Sequence, residues 1–257
     1  MNRFLARSGV ASRRAADALI ASGSVLVNGR RPPPAGMLVD PDHDRVTVHG
    51  KVVQARAGTA WFAVHKPAGV IVTASDPRGR PTLFDLLGEQ SDRRLFAVGR
   101  LDFDTSGLIL VTDDGVLANR LAHPRHAVPK EYVAVVRGIP GDPDLRRLRE
   151  GVQLEDGVTR PAEVELLGSS RGLSEVRMVI GEGRNRQVRR MLDAVGHEVR
   201  ELWRTAFGPI RLGRLKAGGH RRLRPDEVEA LRRASAGGAG GGRALPGRQW
   251  GGGPPTQ

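Results

Sequence analysis

Two carboxylates and a guanidinium stand close together in Gly99-Arg100-Leu101-Asp102-Phe103-Asp104-Thr105-Ser106-Gly107. The apolar runs on either side, 95–98 and 108–111, are too short for helices and predict two buried strands. A polar loop held between rigid strands is where a fold positions chemistry. Three chemistries fit. Asp104-Thr105-Ser106-Gly107 makes a plain turn, with Asp102 capping it. Asp102, Asp104, Ser106, Gly107, Ile109 and Asp113 also match a calcium loop, although such a loop joins two helices and closes on Glu rather than Asp. The third option makes one carboxylate a nucleophile or general base. That role needs a cation to keep the acid ionised and oriented, and a bidentate arginine does both.

A helix predicted over 186–195 can offer that cation. Val188, Met191, Leu192 and Val195 form an apolar stripe with Gly196 as the stop, and Arg186, Arg189 and Arg190 border it. Such a border is an ordinary phosphate-binding surface, but Arg189, beside Val188 and one turn before Leu192, is placed to face a cleft. Lysine is scarce, standing only at 51, 66, 130 and 216 among 41 basic residues, and Tyr132 is the sole tyrosine. Lys130 and Tyr132, two apart, are therefore singled out for specific work.

The elements that must hold these residues read as α+β, because strands and helices mix without strict alternation. Residues 1–50 form a small module: a helix lined by Phe4, Leu5 and Val10, a second helix capped by Ser12 with Ala16, Leu19 and Ile20 inward, and a hairpin at Asn28-Gly29. Arg13, Arg14 and Arg30 give this module a basic face. A linker is expected over 51–58, a larger domain with a mixed, mainly antiparallel sheet over 59–234, and a disordered Gly/Pro-rich tail over 235–257. In the larger domain, strands are predicted at 61–65, 70–73, 132–136, 162–167 and 173–180, and helices at 82–87, 116–121 and around Leu145 and Leu148. The histidines lack ligand spacing; His65, His123, His126 and His197 read as structural or as facing a polyanion. A net charge of +13 points to a polyanion, with nucleic acid ahead of a membrane surface. No apolar run spans a bilayer, the N-terminus lacks a signal-peptide core, and there are no cysteines, so a cytoplasmic protein is expected; a monomer is a separate expectation.

The run Phe4 to Ala16, with Val25-Leu26-Val27-Asn28-Gly29, resembles the alpha-L RNA-binding motif of ribosomal small-subunit protein four and of many rRNA-modifying enzymes. Gly99-Arg100-Leu101-Asp102 with Thr105-Ser106-Gly107-Leu108, then Lys130-Glu131-Tyr132, then Glu182 to Met191, is similar in content and order to the three motifs of RNA pseudouridine synthases. Smaller agreements lie at Lys66-Pro67-Ala68-Gly69, Leu154-Glu155-Asp156-Gly157, Arg160-Pro161-Ala162 and Leu202-Trp203-Arg204. The pairing of modules points to the branch that modifies ribosomal RNA, nearer its large-subunit members than its small-subunit ones.

The resemblance implies that Asp102 is the catalytic acid that attacks the nucleoside, that Arg189 pairs with it, and that Tyr132 stacks on the uracil. It implies that Arg100 fills the space left by the flipped base, and that Lys130, Arg184, Arg186 and Arg190 join Arg13, Arg14 and Arg30 in binding RNA. Isomerisation changes neither redox state nor group content, so neither cofactor nor metal is implied. A different class, a non-catalytic ribosome-associated RNA-binding protein, would tolerate loss of the acid.

Overall fold

A computed structural model describes residues 1–33, 36–54, 58–88 and 94–236. The chain separates into two compact units: Met1–Ala60 with Gly88–Phe96 and Thr112–Asp114, and Trp61–Leu87 with Ala97–Val111 and the chain from Gly115 onward.

In the first unit, helices α1 (Asn2–Arg7) and α2 (Arg13–Ala21) precede strands β1 (Val25–Val27), β2 (Val46–Val48) and β3 (Lys51–Val53), which form one antiparallel sheet. Ser12 caps α2 as its type predicts, its Oγ accepting from the Ala15 amide at 2.9 Å. Leu5, Ala16, Val25 and Val46 form a fully buried core. Asn28 and Gly29 take positive φ of 51° and 77°, and Val27 and Arg30 exchange backbone hydrogen bonds across them, so the tight turn is present. Three expectations shift. Val10 lies beyond α1 and is exposed. The strand that pairs β1 is the distant β2 rather than the chain just after the turn. Lys51–Val53, read as the start of a linker, is a sheet strand, because Val53 packs against the core; residues 55–57 lie outside the described part.

The second unit is built on β4 (Trp61–Lys66), β5 (Phe96–Ala97), β6 (Ser106–Thr112), β7 (Lys130–Arg137), β8 (Gln153–Leu154), β9 (Gly157–Val158), β10 (Glu163–Ser170), β11 (Leu173–Ile180), β12 (Val199–Phe207), β13 (Ile210–Arg211) and β14 (His220–Arg222). Its helices are α3 (Gly115–Ala122), α4 (Asp142–Glu150), α5 (Gln187–Asp193) and α6 (Pro225–Ala236). The main sheet runs β10-β11-β7-β12-β6-β4-β14; β10/β11, β11/β7, β7/β12 and β4/β14 are antiparallel, and β12/β6 is parallel. The mixed, mainly antiparallel sheet and α+β class are as the sequence predicts. Leu108, Ile109, Leu110 and Val111 are all fully buried, which is why β6 reads as a continuous apolar run rather than an alternating one.

Other readings change in detail. Residues 70–73 contribute a single bridge, Ile71 to Thr82, and the helix expected over 82–87 is one short 3₁₀ turn at Asp85–Leu87. The β10/β11 turn is only Arg171-Gly172, both at positive φ. The helix after β11 stops at Asp193, and Val195 is buried just beyond it. Ser235, read as the first tail residue, is a buried member of α6; residues 237–257 lie outside the described part.

Candidate active site

The stretch from Gly99 to Gly107 leads from the short β5 into β6, and Ser106 and Gly107 already belong to the strand. Regular strand backbone from Ser106 to Thr112 overturns the calcium-loop alternative, since those residues would have to wrap an ion. The turn reading holds for Asp102 to Thr105, where the Thr105 amide donates to the Asp102 carbonyl at 3.2 Å. Gly107 is required by close packing. Its φ is +106°, and a Cβ there would lie 2.3 Å from the Arg204 carbonyl oxygen on the parallel neighbour β12.

Beside this loop opens a cleft of about 290 Å³, lined by Arg100, Asp102, Lys130, Tyr132, Arg184, Arg186 and Arg204 among others. Residues drawn from three distant motifs thus meet at one place. Arg100 is exposed at its edge, Asp102 is half-buried, and Tyr132 is buried on β7.

The expected Asp102–Arg189 pair is replaced by a different arrangement. Arg189 meets Asp104, its Nε 3.4 Å from Oδ2 and its Nη2 donating to the Asp104 carbonyl at 2.9 Å. Arg186 grips the same carboxylate bidentately, both contacts at 3.0 Å. Asp102 makes no ion pair among the described residues and acts on Arg189 only as a more distant charge. The physical reason is reach: Asp104 projects from the turn toward α5, and a fork of two arginines saturates it. Burial pushes the Asp104 carboxyl up, but the hydrogen bonds from Arg186 and the charges of Arg189 and Arg186 outweigh it and hold the carboxyl below its usual value. Arg186 itself sits at φ 47°, a left-handed conformation that is uncommon for an arginine and sits where α5 begins.

Several cations expected on RNA turn inward. Lys130 is buried and donates to the Val128 carbonyl at 2.9 Å. Arg184 binds the carbonyls of Asp156, Gly157 and Val158, at 3.1, 2.8 and 2.6 Å, and so ties the β8/β9 hairpin to the segment before α5. Arg190 pairs bidentately with Asp156 at 3.0 and 2.9 Å. A long side chain bordering a buried helix face finds the nearest acid or carbonyl, which spacing along one helix cannot foresee. Arg30 is exposed in the first unit. Arg13 and Arg14 open α2, and their side chains lie outside the described part. His65 and His197 are buried and hydrogen-bonded to the carbonyls of Leu215 and Arg137, the structural role expected of them.

Three functional candidates escape sequence reasoning. Asp104 stands in the sequence as a turn residue, a calcium-loop position or the second carboxylate, and no reading pairs it with Arg186 and Arg189. Lys66, marked by its rarity and by a minor motif, is fully buried behind the loop and donates to the Val70 and Pro67 carbonyls at 2.7 and 3.0 Å. Burial pulls it down to about 8 against the charges of Asp104 and Asp102. Arg204, quoted within a minor motif, is almost wholly buried, with Nε donating to the Leu108 carbonyl at 2.7 Å.

The model of RNA pseudouridylate synthases matches residues 60–194. The chain belongs to this family. The S4 domain model matches residues 2–32, the alpha-L part of the first unit. Ribosomal large subunit pseudouridine synthase B of Bacillus subtilis is 43% identical over 90% of this chain and 95% of that protein. An uncharacterized RNA pseudouridine synthase of Aquifex aeolicus is 39% identical over 91% of this chain and 94% of its own length. A crystal structure of a pseudouridylate synthase superposes with a TM-score of 0.65 at 29% identity, covering 90% of this chain and 98% of that one. As a pseudouridine synthase the chain is an isomerase carrying an RNA-binding module, and among the described residues no helix is long and apolar enough to cross a membrane.

Proposed function

We propose that this pseudouridine synthase isomerises a specific uridine of ribosomal RNA, on the large subunit, and works in the cytoplasm as a monomer. The observation that carries the site assignment is the meeting of Asp102, Tyr132 and Arg100 in one cleft. Resemblance to a large-subunit synthase over nearly the whole chain supports the substrate class.

Residues 1–53 act as the RNA-binding module and 61–236 as the catalytic domain. Phosphates are drawn by the exposed Arg30 and by Arg13 and Arg14 at the start of α2, so affinity falls steeply with salt. The target uridine leaves its stack at a cost of roughly a few kcal/mol, and phosphate contacts offset it. Arg100, exposed at the cleft edge, occupies the vacated space. Tyr132 receives the base, and Asp102 attacks the nucleoside as the uracil detaches, turns and rejoins the ribose through carbon 5. Asp104 holds Arg186 and Arg189 beside the loop, so positive charge surrounds an acid that must stay ionised to attack.

The test is genetic. The gene is deleted in its host, pseudouridines are mapped across both ribosomal RNAs, and the strain is complemented with wild type or Asp102→Asn. One large-subunit site should vanish, return with wild type and stay absent with the variant. Restoration by the variant refutes the acid assignment, loss of a small-subunit site moves the substrate, and no loss at all leaves a non-catalytic binding protein.

A further inference from the structure

Two buried cations line the cleft, and the chemistry assigned above uses neither. They are brought together by strand register. On β7, Lys130 and Tyr132 are two apart and share a face. On β12, Arg204 and Phe207 are three apart, which on a regular strand would point them to opposite faces. The register of β12 against β7 slips between Arg204 and Ala206, so Arg204 pairs with Tyr132 and Phe207 with Lys130. The bulge at Thr205 therefore builds a compact square of two aromatics and two cations. The Arg204 guanidinium lies 6.0 Å from the Tyr132 ring centroid and 5.2 Å from that of Phe207, and Lys130 Nζ lies 5.4 Å from Phe207.

Among the described residues no carboxylate forms an ion pair with Lys130 or Arg204. Among the described residues Arg204 Nη2 is buried without a hydrogen-bond partner, and the only bond of Lys130 Nζ is to the Val128 carbonyl. Glu182, the acid whose charge Lys130 feels, is engaged by Gln187 at 2.6 Å and Arg184 at 3.3 Å. Burying unpaired charge is costly, and such an arrangement persists where an anion arrives to meet it.

The reaction makes an anion at this point. When the N1–C1′ bond breaks, its electron pair stays on the ring and spreads onto O2 and O4. The C5–C1′ bond then forms, the proton on C5 leaves and N1 gains one, so the charge exists only between bond cleavage and bond formation. We propose that Lys130 and Arg204 form the oxyanion site for the detached uracil, donating hydrogen bonds to its O2 or O4 oxygen while Tyr132 holds the ring. The assignment rests on reading this cleft as the uridine site. Donors already fixed in a buried wall favour the charged intermediate over the neutral nucleoside, which raises the rate of the chemical step rather than RNA affinity. It also favours uracil over cytosine, whose amino group at position 4 is a donor facing donors.

The experiment uses the full chain and an rRNA fragment carrying the mapped uridine, with single-turnover rate against pH, RNA affinity and melting temperature measured for Lys130→Arg, Lys130→Met, Arg204→Lys and Arg204→Gln. Lys130→Met and Arg204→Gln should slow the chemical step about 100-fold or more while RNA affinity stays within about threefold. Lys130 is held down to about 8 by burial and by Arg204, with Glu182 opposing. Asp102, Tyr132, Arg184 and Arg186 line the same cleft. The wild-type rate should therefore fall as pH rises through about 8. Lys130→Arg should retain most of the rate and carry that decline to higher pH, a displacement no structural role would produce. Arg204→Lys should recover more rate than Arg204→Gln; should Arg204→Gln fail to fold, the Lys130 series decides. An unmoved alkaline decline in Lys130→Arg, or full rate in Lys130→Met, overturns the oxyanion site. A wild-type chain that leaves the fragment unmodified overturns instead the reading of the cleft.

Discussion

Replacing Gly107 with alanine tests the seam that joins the acid loop to the rest of the site. At φ +106° a side chain strains the backbone by ~1–3 kcal/mol. The new Cβ would lie 2.3 Å from the Arg204 carbonyl oxygen and 2.4 Å from its amide nitrogen, both backbone atoms that no rotamer change can move. Strands β6 and β12 would have to part by about 1 Å to restore van der Waals distance, weakening one or two hydrogen bonds at ~1 kcal/mol each. The total is about 2–5 kcal/mol, a fall in melting temperature of roughly 4–20 °C for a domain of this size. Gly99→Ala is the internal control. Its φ is +73° with nothing within 4 Å of a built Cβ, so it should cost only ~1 kcal/mol, about 2–4 °C. Thermal unfolding followed by far-UV circular dichroism reads both. Equal melting temperatures for the two variants would refute the close-approach reasoning.

Asp104→Asn removes the carboxylate that Arg186 and Arg189 share. Because Asp104 and Arg186 are each about half exposed, the variant should melt close to wild type at neutral pH while its single-turnover rate falls at least tenfold. The Asp104 carboxyl is held below its ordinary value of 3.8, so its contribution is present at neutral pH and is lost as pH falls through the lower folded-state value. The small gap in melting temperature between wild type and variant should close on acidification below about pH 4; a gap that widens contradicts the pairing. For Lys66 the sign is opposite. Its folded-state value of about 8 lies below the ordinary 10.5, so between these limits the unfolded chain binds more protons and wild-type stability rises with pH. Lys66→Met should lose that slope, faring better relative to wild type at pH 7 than at pH 10 in parallel melts, and identical slopes would show that Lys66 is not desolvated.

The legible parts of this protein are those with one-dimensional signals. The apolar run 108–111 announced β6, the stripe from Val188 to Leu192 announced α5, Ser12 announced the start of α2 and Asn28-Gly29 announced a tight turn. Asp102, Tyr132 and Arg100 were selected by motif order, and they do share a cleft. Partners were harder to read, because a long side chain chooses among groups that only the packed sheet brings within reach. Arg189 meets Asp104, Arg184 meets three carbonyls of a hairpin, and Arg190 meets Asp156. The alternation of a strand places Lys130 and Tyr132 on one face without help. It would put Arg204 and Phe207 on opposite faces, and a single extra residue at Thr205 reverses that. Residue types and their order thus determined the family, the acid loop and the RNA-binding module. Tertiary structure alone decided which cations stand against the acids and which are buried unpaired in the cleft wall, because a bulge and a parallel strand contact leave no period in the chain.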